Sequence, residues 1–178
     1  MTSIRHHYET LGPERFYQTN GAKYRNPHEA AMRECLQWCI NEWGLDVSNV
    51  LDLACGSGEA TLEIQAQGGR ATGIDPYTGD AYLARTGQQA EQMDFATIAA
   101  KGLGDRQFSL VVCSYALHLV EPSRLALLLY QLGQVAPALL VLSPNKRPTL
   151  GLTDKETYRN RVHAKLYRMV GLHLRGAT

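Results

Sequence analysis

The chain predicts an α/β fold, a doubly wound, mostly parallel sheet with helices on both faces. Three observations carry that expectation. Short apolar runs (VLDL, ATGI, FSLVVCS, ALLVLS) alternate with amphipathic helical stretches. The first run stops in a turn of small residues and starts a helix, VLDLACGSGEAT from Val50 to Thr61. The second run, ending in Asp75, is followed at once by the strand-breaker Pro76. Such alternation is the mark of βαβ units, and 178 residues suit one domain around one core.

In chain order, residues 1–26 come first, carrying Tyr8, Phe16, Tyr17 and Tyr24 without periodicity. A short helix around Pro13–Gln18 fits, and the segment either closes over a site as a lid or packs outside the core. Asn26-Pro27-His28-Glu29 then opens a helix, with Asn26 as N-cap, Pro27 in the first helical position and Glu29 completing a capping box. Met32, Cys35, Leu36, Cys39, Ile40 and Trp43 recur at three- and four-residue steps, an apolar face for the sheet that Gly44 terminates.

The glycine turn is a cofactor cradle. Gly56 and Gly58 let the backbone turn sharply and approach a ligand closely. The helix that follows presents unpaired N–H groups to the turn. A dinucleotide fingerprint, GxGxxG, needs a third glycine where this chain has Thr61. Glu59 would also face a pyrophosphate with like charge, and Asp52 adds a carboxylate inside the turn. A cofactor with a cationic end suits these acids better. LDLACGSGEAT resembles the first motif, D/E-x-G-x-G-x-G, of the class I S-adenosylmethionine-dependent methyltransferases. Asp52, Gly56 and Gly58 match it, and Ala54 stands at the first glycine.

A helix from Gly58 to about Gln67 precedes the second strand, Ala71 to Asp75. An acid at that strand end can accept ribose hydroxyls, and Asp75 holds the place, with Pro76 beside it. A short helix near Gly79–Arg85 leads to a weak third strand, QQAEQM, and to Asp94-Phe95. The resemblance implies that Asp94 takes the adenine amino group and that Phe95 packs the base. Asp94 reads equally well as the N-cap of a helix through Ala100. Phe108 to Ser114 is the fourth strand, with Ser109 where the family often has Asp. Ser114 and the segment SYALHLVEP lie outside the strand's carboxyl end, where open α/β sheets bind ligands. Tyr115 and His118 are its polar groups, and His118 is the candidate base because imidazole titrates near neutrality. Packing against the sheet is the alternative. For the cofactor's carboxylate, Tyr24, Arg25 or the helix N-terminus would serve.

Residues 121–134 read as a helix with Leu125, Leu128, Leu129 and Leu132 buried, and Ala138 to Pro144 as the fifth strand. The remaining 34 residues are too few for a helix and a two-strand hairpin at ordinary lengths. Asn160 to Val170 is expected as one antiparallel edge strand, its Arg161, Lys165 and Arg168 discouraging aggregation. The whole is therefore one Rossmann-like domain over 1–178. It divides into an N-terminal lid or helix segment (1–45), a cofactor-binding core (50–144) and a shortened C-terminal strand and tail (145–178).

Composition bounds the function. An apolar share of 44% supports a globular core. No apolar run nears the roughly 20 residues that span a bilayer, and MTSIRHHYET lacks a signal peptide's apolar stretch. A cytoplasmic protein without membrane association is expected. The four cysteines show no metal-ligand spacing, so they read as thiols in a reducing compartment and no metal is expected. The net charge of +1 divides unevenly, −5 over residues 1–145 and +6 over 146–178. A basic end attracts an anionic substrate or nucleic acid, or is a solvated face. Three readings follow: a methyltransferase acting on a small molecule, one acting on a nucleic acid or protein through the basic end, and a non-catalytic S-adenosylmethionine-binding partner protein.

Overall fold

The computed structural model describes residues 21, 25–147 and 149–169. Its centre is one six-stranded sheet in the order β2-β1-β3-β4-β6-β5. In chain order the strands are β1 (Val50–Leu53), β2 (Ala71–Ile74), β3 (Leu110–Ser114), β4 (Ala138–Ser143), β5 (Lys155–Arg159) and β6 (Val162–Arg168). The helices are α1 (Glu29–Trp43), α2 (Glu59–Ala66), α3 (Gly79–Thr86), α4 (Phe95–Lys101) and α5 (Pro122–Val135). β1 to β4 pair in parallel and β6 runs against β4. Because β5 is antiparallel to β6, it points the same way as the first four. The sheet thus has a single reversed strand, as the sequence implies.

Both faces are covered, which explains why the parallel strands read as unbroken apolar runs. Alternation along β1 sends Leu51 and Leu53 to one face, with Ile98 of α4 and Leu128 and Leu132 of α5. Val50 faces the other way, with Met32, Leu36 and Ile40 of α1 and Ile64 of α2. The α5 stripe is Leu128, Leu132 and Val135, with Leu125 and Leu129 partly buried. All four cysteines are buried free thiols. Among the described residues, no helix is long and apolar enough to cross a membrane.

Three local expectations are corrected. QQAEQM forms no strand: Glu91 makes one isolated bridge to Ile74, and the rest of this polar run leaves the sheet. No capping box forms at α1, because Glu29 is drawn to Arg85 and Arg33 instead. The Asn26 amide donates to Glu59, while the Asn26 side chain accepts from the His28 amide at 2.9 Å. The C-terminal part folds as a hairpin, so β6 is internal and β5 forms the edge. Two strands fit because, among the described residues, no helix intervenes between β4 and β5, and because Asn160 and Arg161, at φ 49 and 65, make a two-residue turn. The expected helix near Pro13–Gln18 and the lid lie outside the described residues, as do Tyr8, Phe16, Tyr17 and Tyr24.

Candidate functional site

A cavity of about 520 Å³ opens at the carboxyl ends of the parallel strands. The chain passes from β1 to β2 on one side, then crosses to β3 on the other. The ends of β1 and β3 are therefore the topological switch point, where such sheets bind ligands. The β1 turn supplies Leu53, Ala54 and Gly56, and the loop after β2 supplies Asp75, Pro76 and Tyr77. Met93, Asp94, Phe95 and Ala96 form one side wall. Ser114, Tyr115 and Ala116 form the floor after β3, and Leu119, Val120, Glu121 and Arg124 close the far end.

The turn after β1 is held in the left-handed region at three points, Ala54 (φ 57), Gly56 (φ 56) and Gly58 (φ 87). A Cβ on Gly58 would stand 2.5 Å from the Thr86 methyl, so glycine is required there by space as well as by φ. Ala54 has no such excuse: its backbone adopts a glycine conformation while carrying a methyl group.

Asp75 is 7% exposed and ties the two loops together. Its Oδ1 accepts from the amides of Tyr77 at 2.8 Å and Thr78 at 3.0 Å, and its Oδ2 from the amide of Gly56 at 3.2 Å. The carboxylate therefore shapes the glycine turn while lining the cavity.

Asp52 does not reach the cavity. Strand alternation turns it to the face that α1 and α2 cover, where it is 0% exposed. Its Oδ2 accepts from both the amide and the hydroxyl of Thr61, capping the first turn of α2. The same hydroxyl lies 3.0 Å from the Tyr82 phenol. Oδ1 of Asp52 has no hydrogen-bond partner among the described residues. Burial pushes the carboxyl up to about 7, opposed by the Thr61 bonds and reinforced by the charges of Glu59 and Asp75.

Glu59 also turns away from the cavity, which corrects the expectation that it faces a ligand. Buried at the start of α2, it accepts from the Ser57 hydroxyl and pairs with Arg85 at 3.5 Å. Arg85 in turn pairs with Glu29, which joins α1, α2 and α3 behind the turn.

Asp94 is both a cap and a wall: its Oδ1 accepts from the Thr97 amide at 2.7 Å while the residue lines the cavity. Hydrogen bonds from Thr97, with Arg124 nearby, hold its carboxyl below the usual range. Tyr115 has φ 58, uncommon for a bulky residue, and its ring stacks on His28 at 5.8 Å. Burial pushes its phenol up to about 12. His118 is exposed on a 3-10 turn, Leu117–Leu119, and is not among the residues lining the cavity. Ser109 lies at the amino end of β3, its hydroxyl bonded to the carbonyls of Asp46 and Asn49, far from the switch point.

Of the residues singled out in the sequence, Ala54, Gly56, Asp75, Pro76, Asp94, Phe95, Ser114 and Tyr115 line one cavity. Asp52 and Gly58 support it from behind, and His118 stands apart. Sequence reasoning missed Tyr77, Met93, Leu119, Val120 and Arg124 as lining residues. Only their nearness to the strand ends could have signalled them. Among the described residues, no three His, Cys, Asp or Glu side chains group as metal ligands.

Residues 50–136 match the family model described as a methyltransferase domain. No curated relative matches the chain by sequence. Among solved structures, magnesium protoporphyrin IX methyltransferase from Synechocystis PCC 6803, with bound SAM, aligns over 92% of this chain and 93% of its own, with TM-score 0.56 and 17% identity. The PH0226 protein from Pyrococcus horikoshii OT3 aligns over 94% and 100%, with TM-score 0.63 and 12% identity. A structure from work on conversion of a disulfide bond into a thioacetal group during echinomycin biosynthesis aligns over 88% and 92%, with TM-score 0.61 and 16% identity. At such identities the likeness is one of fold.

Proposed function

We propose that this chain, whose residues 50–136 match a methyltransferase domain, is a class I, S-adenosylmethionine-dependent enzyme that methylates a small-molecule acceptor by in-line displacement. One observation carries the reading: one cavity brings the Asp75 and Asp94 carboxylates together with apolar surface from Phe95, Leu119 and Val120. Its volume is within the range of small-ligand sites, roughly 300–1,000 Å³.

The residues present fit the cofactor. Oδ2 of Asp75 accepts a single hydrogen bond, which leaves it room for a ribose hydroxyl. Asp94 keeps its second oxygen for the adenine amino group, and Pro76 and Phe95 offer apolar surface to the base. Ala54, Gly56 and Ser114 bring backbone close to the methionine end, while Asp52 and Gly58 hold the turn in shape. The Asp75 and Asp94 carboxylates that line the cavity would repel a pyrophosphate, whereas Asp52 and Glu59 are turned away from it. Bound S-adenosylmethionine supplies an electrophilic methyl group whose leaving group is a neutral thioether.

The protein's task is then to place the acceptor. Tyr115 in the floor and Leu119 and Val120 at the far end exclude water, and orientation alone supplies several kcal/mol of barrier lowering, about 7 or more in favourable cases. The Tyr115 phenol stays protonated at neutral pH, so it donates a hydrogen bond and does not act as a base. With His118 outside the lining, this reading assigns proton transfer to no residue. The acceptor atom is one that arrives with a free lone pair.

A co-crystal with S-adenosylhomocysteine tests the reading. The adenosine is expected between Asp75 and Asp94, with a remaining hollow beside Tyr115 that fits a small molecule. No binding by calorimetry, or a ligand bound elsewhere, would overturn it.

A further inference from the structure

The C-terminal hairpin carries a second surface at the same edge of the sheet. On β6, Val162, Ala164 and Leu166 pack against the core beneath α1, and Tyr167 packs into the core on the other side. His163 and Lys165 share the face of Tyr167 but remain only half-buried. Tyr158 of β5 stands opposite His163, and the two rings stack with centroids 4.3 Å apart. The Tyr158 ring is 60% exposed, the most open aromatic side chain among the described residues.

Cations surround this stacked pair. The Lys165 ammonium donates to the Lys146 carbonyl at 2.7 Å, which holds the loop after β4, with exposed Lys146 and Arg147, against the hairpin. Arg161 is exposed in the hairpin turn. Burial, then the charges of Lys146 and Lys165, hold the His163 imidazole below its usual value, against the opposing charge of Glu156 across from Lys165. Lys146, Arg147, Arg161 and Lys165 thus outnumber the nearby acids, Glu156 and the Asp154 that pairs with Arg168.

Register fixes where it lies. His163 pairs with Ser143, the last residue of β4, so the hairpin turn projects from the carboxyl edge where the cavity opens. β6 is two strands from β3 and β5 is three, about 10 and 15 Å at usual strand spacing.

We propose that this ledge binds single-stranded nucleic acid, with a base stacked on Tyr158 and backbone phosphates on Lys146, Arg147 and Arg161. An open aromatic face beside several cations is the combination that single strands use, whereas an acidic peptide would leave the ring idle. The inference goes beyond methyl transfer. Two to three strands from β3, the ledge holds a strand whether or not the acceptor belongs to it.

The test uses the full chain and a fluorescent oligothymidylate of roughly 12 nucleotides. Saturable binding that weakens steeply with salt is expected. Tyr158→Ala weakens it about 5- to 100-fold, and Tyr158→Phe retains it. Lys146→Glu both weakens binding and flattens the salt dependence. Followed by NMR, the His163 imidazole titrates at higher pH once the oligonucleotide is bound. No saturable binding at low salt, or equal binding by Tyr158→Ala, overturns the proposal. So does equally tight binding of polyphosphate or polyglutamate. Calorimetry with S-adenosylhomocysteine on the same samples reports separately on the methyltransferase reading.

Discussion

Thr61 holds Asp52 by two hydrogen bonds to one carboxylate oxygen, from its amide at 3.0 Å and from its hydroxyl at 2.7 Å. The eight residues between them, including the whole glycine turn, are closed into a loop by this pair. The other oxygen of Asp52 is buried without a partner among the described residues. That asymmetry makes the carboxyl an acid raised by burial.

Stability should therefore fall with rising pH through one specific group. An acid whose folded pKa, about 7, exceeds its unfolded value holds its proton more tightly when folded. Its contribution is complete below about pH 4 and is lost as pH climbs to 7, with an upper limit of about 4 kcal/mol. Urea unfolding at several pH values checks this: Asp52→Asn is expected to remove that downward slope. Parallel slopes for the two proteins would refute the assignment.

Ala54→Gly should stabilise the protein. At φ 57 an alanine methyl costs roughly 1–2 kcal/mol, and glycine's extra freedom when unfolded returns about half of that. The net gain expected in denaturant unfolding is about 0.5–1 kcal/mol. A loss on substitution would mean that the methyl packs usefully against the cavity wall.

Asp75→Ala should weaken S-adenosylhomocysteine binding at least about tenfold and also cost about 1–3 kcal/mol of stability, because three amides lose their acceptor. Calorimetry separates the effects when run well below the variant's unfolding temperature. Affinity unchanged in a folded variant contradicts the ribose role.

Removing Arg85 should cost more than removing its partner with it. Glu59 is 4% exposed, and Arg85→Met leaves its charge buried beside Glu29 with no other cation paired to it among the described residues, an expected loss of about 3 kcal/mol. Adding Glu59→Gln should recover part of it. A double-mutant cycle with no coupling energy would show the pair to be incidental.

Much of this architecture is legible in the sequence because strand and helix periods depend on neighbours. The four parallel strands and the helices between them fall within a residue or two of their expected bounds, and Asp75 and Asp94 line the cavity. What fails depends on distant partners. Glu29 reads as a capping residue until Arg85, 56 positions away, claims it. Asp52 reads as a cavity carboxylate, although strand alternation turns it toward Thr61. The hairpin hides because its turn is Asn160-Arg161, with no glycine at the second position. QQAEQM has no β-branched residue, and that composition alone argues against a strand.

The isolated bridge at Glu91 leaves one side of the cavity joined to the sheet at a single point. The Asp75 amide to the Glu91 carbonyl and the Glu91 amide to the Gly73 carbonyl are its backbone ties to β2, with the Arg106–Glu91 ion pair beside them, and Met93 and Asp94 follow directly. Local opening there should set the fastest amide exchange within the sheet. A bound nucleoside would act as mortar between that flank and β2, so heat resistance and ligand occupancy should rise together.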